Sequence, residues 1–244
     1  MKYHLRGVEK IYGTRTVLRI PALDIQPGEI LAVVGPSGAG KSTLLRLLHF
    51  LEPPTLGEVA YSQNSRSEPE ELSRGWPVPL AVRRRVAMLF QRPEMIAASV
   101  RENVALGLRF RGAYDEKTVE DALNRVDLAP LGHAPARTLS GGELQRAALA
   151  RLLALTPSVY LLDEPTANLD PGNVAVVEEA IRGMRAAGAA VVLVTHNVFQ
   201  ARRLADRVAF ILGGSLIECN PAEKFFDTPD DPRSRAFVRG EMVY

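Results

Sequence analysis

The chain has 244 residues, 46% hydrophobic and 24% charged, a composition that excludes a disordered polymer and allows a sizeable core. Thirty Lys and Arg against 28 Asp and Glu give a net charge of +2, too balanced to indicate direct nucleic-acid binding. The single cysteine, Cys219, excludes an internal disulfide or a cysteine-based zinc site; no apolar run approaches the ~20 residues of a membrane span, and residues 1–4 open no apolar signal segment.

In chain order, residues 3–8 and 17–25 read as strands separated by a turn at Gly13, and Pro27-Gly28 makes the next turn. Tyr12 stands just before that first turn, where its ring either stacks on a purine or packs within the hairpin. Ile30, Leu31, Ala32, Val33 and Val34 form a nearly continuous apolar run, the pattern of a strand buried on both faces. Gly35, Pro36, Ser37, Gly38, Ala39, Gly40, Lys41 and Ser42 then match G-x-x-x-x-G-K-S/T residue for residue. Glycines allow backbone N–H groups to close around phosphate oxygens, and the helix expected from Lys41 to about Phe50 adds favourable partial charge. Lys41 is placed to reach β and γ phosphates, the Ser42 hydroxyl to ligate Mg²⁺, and Thr43 to cap the α-phosphate side.

Residues 62–80 are polar and proline-broken, which predicts a surface loop. Arg83, Arg84 and Arg85 form either a solvated helix face or an anion or lipid contact. A strand is expected over 86–90, ending at Gln91. The pattern then turns helical over 100–131, with Val119, Ala122, Leu123 and Val126 on one face, and again over 144–155. Three further apolar runs, 159–162, 189–194 and 208–212, alternate with helical segments. Such alternation around a phosphate loop implies an α/β fold with a mainly parallel sheet, and the helical block from about 92 to 155 reads as an insertion into it.

Two strand ends supply the remaining chemistry. Asp163 closes an apolar strand and so reaches the carboxyl edge of the sheet beside the phosphate loop, where a carboxylate can hold Mg²⁺ through water. Glu164 follows it, and either accepts a proton from water attacking the γ-phosphate or is an exposed loop acid. His196 follows the 189–194 run and either contacts the γ-phosphate or caps the next helix. Gln91, at its own strand end, is a candidate contact for Mg²⁺ or water.

Leu139, Ser140, Gly141, Gly142, Glu143, Leu144, Gln145 and Arg146 form a second phosphate-binding helix start, with Ser140 as cap and two glycines exposing amides. One chain with one phosphate loop has little use for both, which points to a two-fold dimer sharing its nucleotides. This segment resembles the signature sequence of ATP-binding-cassette ATPases, and the motifs follow that family's order along nearly the whole chain. The resemblance implies a P-loop ATPase core with a mainly parallel sheet, an N-terminal antiparallel β subdomain and an inserted helical subdomain, all within one cassette spanning 1–244. It assigns Tyr12 to adenine stacking, Gln91 to the Q-loop, Asp163 and Glu164 to the Mg²⁺-holding aspartate and catalytic glutamate, and His196 to the γ-phosphate switch. Asp170, in the segment 167–170, looks like the residue that meets the opposing subunit.

The same resemblance implies ATP and Mg²⁺ as cofactors and a head-to-tail dimer with a second copy. It further implies separate transmembrane permease subunits, an extracytoplasmic solute-binding protein, and residence at the cytoplasmic face of the membrane. Residues 91–111 would receive the permease's coupling helix, with Met95 and Ile96 either contacting it or packing inward. Segments 50–55, 78–86 and 240–244 look like those of tungstate or related oxyanion importers. Phosphate, amino-acid import, or mechanical work on ribosomes or DNA are the alternatives.

Overall fold

The computed structural model describes residues 1–62, 70–71 and 77–241. Most of the loop expected over 62–80, and Met242 to Tyr244 of the oxyanion-importer resemblance, lie outside the described residues. The chain opens with β1 (Lys2–Tyr12) and β2 (Arg15–Ile25), an antiparallel pair turned at Gly13, whose φ of +59° suits a residue without Cβ. β3 (Ile30–Val34) leads into α1 (Lys41–Leu48), and β4 (Leu56–Ser62) returns antiparallel to β1. A two-residue strand, β5 (Glu70–Glu71), and a single turn of helix, α2 (Leu80–Arg83), precede β6 (Val86–Leu89). Arg83 and Arg84 are exposed at the end of α2 and Arg85 is half-buried, which fits both readings of the arginine cluster.

Between β6 and β7 (Val159–Asp163) come α3 (Val100–Phe110), α4 (Glu116–Asn124), two short 3₁₀ turns and α5 (Gly141–Ala154). The helical pattern expected over 100–131 is thus interrupted. Gly112 takes φ +63° and Asp115 caps a new helix by accepting from the Thr118 N–H. The chain closes with α6 (Pro171–Ala186), β8 (Ala190–Val194), α7 (Val198–Leu204), β9 (Arg207–Leu212), β10 (Ser215–Pro221), α8 (Ala222–Asp227) and α9 (Pro232–Val238). Neither β4 nor β10 was expected. Every residue of β10 before its last is only half-buried, so it lacks the apolar run that marks the central strands.

Among the described residues ten strands join one sheet in the order β5-β4-β1-β2-β10-β9-β3-β8-β7-β6. Its parallel part runs β9-β3-β8-β7-β6, β10 joins β2 in parallel at Ser215 and Arg19, and the β1–β2, β1–β4 and β9–β10 pairs are antiparallel. Alternation sorts each central strand between two layers. Val159, Leu161, Val192 and Val194 pack toward Leu44, Leu45 and Leu48 of α1. Tyr160, Leu162, Val191 and Leu193 face the other way, toward α3, α4, α5 and α6. Beyond β3, Ala32 and Val34 join Phe210 and Phe225 under α7 and α8. Fully burying each such Val or Leu is worth about 1.5–3 kcal/mol, which makes the central strands a rigid platform for the loops at their carboxyl ends. Among the described residues no helix is long and apolar enough to cross a membrane.

Candidate functional site

The glycine loop leaves β3 at Gly35, whose φ is +150° and whose added Cβ would lie 2.0 Å from the Ile211 carbonyl oxygen. Gly40, at φ +101°, would place a Cβ 2.7 Å from the Val17 carbonyl oxygen. The loop is therefore pressed against β9 and β2 so closely that side chains are excluded at both positions. It delivers the start of α1, where first-turn N–H groups have no intrahelical partner. Lys41 Nζ donates to the carbonyls of Gly35 at 2.7 Å and Pro36 at 2.8 Å. Burial lowers the Lys41 pKa, opposed by the carboxylates of Glu164 and Asp163.

β6, β7 and β8 run parallel to β3, so their carboxyl ends open on the same edge. Asp163 is buried at the end of β7. Burial raises its pKa, while a hydrogen bond from the Ser42 side chain and the nearby charges of Lys41 and Arg46 pull it down. Glu164 turns away with φ +50°, a left-handed conformation uncommon for a residue with a side chain. Its N–H donates to the Val194 carbonyl at 3.0 Å, which pins it to β8. Its side chain is only 12% exposed and its Oε2 lies 2.9 Å from His196 Nδ1. Glu164 is thus not an exposed loop acid. Nor does His196 cap the next helix: the side chain of Asn197 does, accepting from the Gln200 N–H.

These loops enclose a cavity of about 570 Å³ lined by Ser37, Gly38, Ala39, Gly40, Lys41, Ser42 and Thr43 together with Gln91, Asp163, Glu164 and His196. Gly35 and Pro36 sit behind it and lend their carbonyls to Lys41. Three hairpin residues, Arg15, Thr16 and Val17, complete the wall with Gly213 and Gly214. Sequence reading missed these five. The Gly213-Gly214 pair was a visible turn signal, but nothing local to residues 15–17 marks them. A hydroxyl and a single carboxylate, Ser42 and Asp163, suit Mg²⁺, which takes few protein ligands and completes its shell with phosphate and water. Among the described residues no cluster of three or more His, Cys, Asp or Glu side chains is arranged to hold a metal alone.

Other expected residues stand apart. Tyr12 is outside the cavity lining; its hydroxyl donates to Glu52 at 2.6 Å and Lys10 Nζ lies 5.2 Å from its ring centroid. Ser140, Gly141 and Gly142 are also outside it, at the start of α5. There Ser140 and Glu143 form a reciprocal capping box, Gly141 adjoins open space, and Gly142 packs near Leu169 and Asn173. Asp170 caps α6, accepting from the Asn173 N–H at 3.0 Å. Met95 packs partly into the helical core whereas Ile96 is 47% exposed.

With this geometry in view, the family model described as ABC transporter matches residues 18–167, from β2 through the loop after Glu164. The chain belongs to the ABC transporter family. A curated relative described as "Probable anion import ATP-binding protein" of Haloferax volcanii is 46% identical over 249 residues, covering 96% of this chain and 85% of the relative. Phosphate import ATP-binding protein PstB 2 of Natronomonas pharaonis is 42% identical over 250 residues, covering 98% and 86%. A solved dimeric ATP-binding cassette in a post-hydrolysis state, bound to ADP and Pi, superposes with a TM-score of 0.79 at 30% identity, covering 90% of this chain and 98% of that one. An ATP-binding subunit of an ABC transporter shares the fold, with a TM-score of 0.83 at 22% identity over 98% of this chain and 99% of that one. This ABC-family chain is accordingly an α/β P-loop ATPase.

Proposed function

We propose that the chain is the ATP-hydrolysing subunit of a membrane importer for an inorganic oxyanion. The observation that carries the catalytic part is the Glu164–His196 pair, 2.9 Å apart, on the same sheet edge as Lys41. In this reading Lys41 and the amides from Gly38 to Thr43 hold the phosphates. Ser42 and Asp163, with Gln91 beside them, hold Mg²⁺, which neutralises charge developing on the phosphate oxygens. Glu164 orients the attacking water and accepts its proton, and His196 holds Glu164 and the γ-phosphate in register. Tyr12, 43% exposed, supplies an adenine platform from outside the cavity lining.

The start of α5 then serves the nucleotide of a second copy in a head-to-tail dimer, a reading supported by its open glycine end lying outside the lining of this chain's own cavity. The chain acts as one cassette, 1–244, with the helices of about 92–155 as an inserted subdomain whose exposed Ile96 meets separate permease subunits. A solute-binding protein outside the membrane delivers the cargo, and the ATPase sits peripherally at the cytoplasmic face. Relatives named for anion and phosphate import favour phosphate as the oxyanion; tungstate or molybdate is the narrower reading suggested by segments 50–55 and 78–86.

The deciding experiment is Glu164→Gln. The amide preserves size and hydrogen bonding but cannot take a proton, so ATP affinity should stay within about twofold while turnover falls ~100-fold or more. A Gln variant that hydrolyses ATP at the parent rate would remove Glu164 from the catalytic role.

A further inference from the structure

Gln200 lies on α7, four residues beyond His196, and is fully buried. Its Nε2 donates to Thr166 Oγ1 at 2.9 Å and lies 3.5 Å from Glu178 Oε1 on α6. Glu178 can only accept, so the amide nitrogen must face this side and Thr166 Oγ1 must be the acceptor. Thr166 sits in the loop that carries the chain from Glu164 to Asp170. That loop holds two non-glycine residues at positive φ, Glu164 at +50° and Asn168 at +62°. Such conformations persist where the surroundings over-determine them. Within the loop, Ala167 N–H donates to the Glu164 carbonyl and Leu169 N–H to the Thr166 carbonyl. The bond from Gln200 is the only side-chain hydrogen bond from another element onto residues 165–169 among the described residues.

We propose that Gln200 is a positioning residue for ATP hydrolysis, bonding Thr166 so that the loop bearing Glu164 keeps its place against the helix that follows His196. The inference rests on the catalytic reading of Glu164 and His196 given above. A purely structural role for Gln200, as a link between α7 and α6, fits the observations less well. Glu178 is already satisfied by Arg203 at 2.5 Å and by Arg182 at 3.4 Å, and the contact from Gln200 to it is long. Gln200 Oε1 is buried without a hydrogen-bond partner, a desolvation cost that an apolar side chain of similar size avoids. The amide therefore serves the one short bond it makes. That bond joins the two segments whose reactive side chains meet 2.9 Å apart at Glu164 and His196.

The test measures phosphate release and nucleotide affinity for the full-length chain carrying Gln200→Met, Thr166→Val, both together, and Thr166→Ser. Loss of one hydrogen bond at the reacting geometry should lower kcat about tenfold in each of the first two, with ATP affinity changed less than about twofold. Because both remove the same bond, the double variant should be no slower than the slower single. Thr166→Ser, which keeps the hydroxyl, should retain most of the parent kcat. Multiplicative losses in the double variant, equal losses for Thr166→Ser and Thr166→Val, or a Gln200→Met kcat within twofold of the parent would overturn the proposal. If Gln200→Met fails to fold, the Thr166 pair alone decides, by the difference between Ser and Val. Glu164→Gln in the same assay separates the two claims: undiminished hydrolysis there rejects the catalytic reading, whatever the Gln200 series shows.

Discussion

Asp163 is a carboxylate buried at a strand end, and its surroundings pull in two directions. Burial raises its pKa from the ordinary 3.8, while Ser42, Lys41 and Arg46 oppose the rise. The net upward direction means that ionised Asp163 costs the native state free energy. An acid with a raised folded pKa contributes stability below its unfolded value, and that contribution is lost as pH rises through the folded value. Asp163→Asn should therefore raise the melting midpoint of the ligand-free chain at pH 7, by about 2–4 °C for each ~1 kcal/mol relieved. The gap should narrow as pH falls into the carboxylate range, where a carboxyl of raised pKa takes up its proton. Hydrolysis should be lost in the same variant. Melting curves at pH 4 and pH 7 check this, and a midpoint at or below the parent's at pH 7 would show that the opposing charges outweigh burial. Stability given up at a candidate site residue is a familiar trade. At this scale the site was largely legible, because phosphate chemistry demands glycines and a lysine at fixed spacing. Arg15, Thr16 and Val17 were not legible: they reach the cavity only because β2 neighbours the β9–β10 hairpin in the sheet, a pairing that no local spacing encodes.

At the start of α5 the proposed function and the stability of the helix can be tested separately. Apolar periodicity places a helix over 144–155, but the helix begins at Gly141, because Ser140 and Glu143 cap each other and the first turn needs no apolar residue. Periodicity locates the buried body of a helix, and its polar ends are set by capping. The same limit explains why one expected pattern over 100–131 became α3 and α4, divided at Gly112 and Asp115. Gly141 offers a clean test of the α5 terminus. Its Cβ would meet nothing within 4 Å and its φ is not positive, so a side chain there disturbs no neighbour. An aspartate at the first helical position is favoured by the helix dipole, worth about 0.3–1 kcal/mol. Gly141→Asp should thus melt at or slightly above the parent midpoint and bind ATP normally at its own phosphate loop. If a second copy's triphosphate docks at this terminus, like-charge repulsion should abolish ATP-dependent dimerisation in the Glu164→Gln background and cut turnover by ~10-fold or more. Sedimentation with and without ATP reads the outcome directly. An unimpaired dimer would mean that the terminus faces something other than nucleotide.

Across the whole molecule, four parallel strand ends converge on one cavity while the exposed parts of the Gln91 segment lie on the helical side. Gln91 belongs to both: it lines the cavity and begins the stretch that includes exposed Ile96. Asn103, fully buried on α3, braces that stretch by accepting from the Ile96 N–H at 2.9 Å and donating to the Ser99 carbonyl at 2.9 Å. Ile96 is thereby tied to α3, five residues along the chain from the cavity-lining Gln91. If a membrane partner bears on Ile96 as proposed, its state reaches the segment that begins at Gln91. On the importer reading, the complex co-purified with its membrane partner should hydrolyse ATP severalfold faster when a solute-binding protein is added loaded, provided the loaded form binds the closed arrangement better than the empty one. Stimulation by phosphate but not by tungstate, molybdate or sulfate would fix the oxyanion as phosphate. Stimulation by tungstate or molybdate alone would establish the narrower reading from segments 50–55 and 78–86. A verified intact complex that answers only to an amino acid would overturn the oxyanion assignment while leaving the ATPase site intact. On the proposed role of Glu164, the Glu164→Gln complex should stay silent with every receptor, because loading can speed closure but cannot replace a proton acceptor.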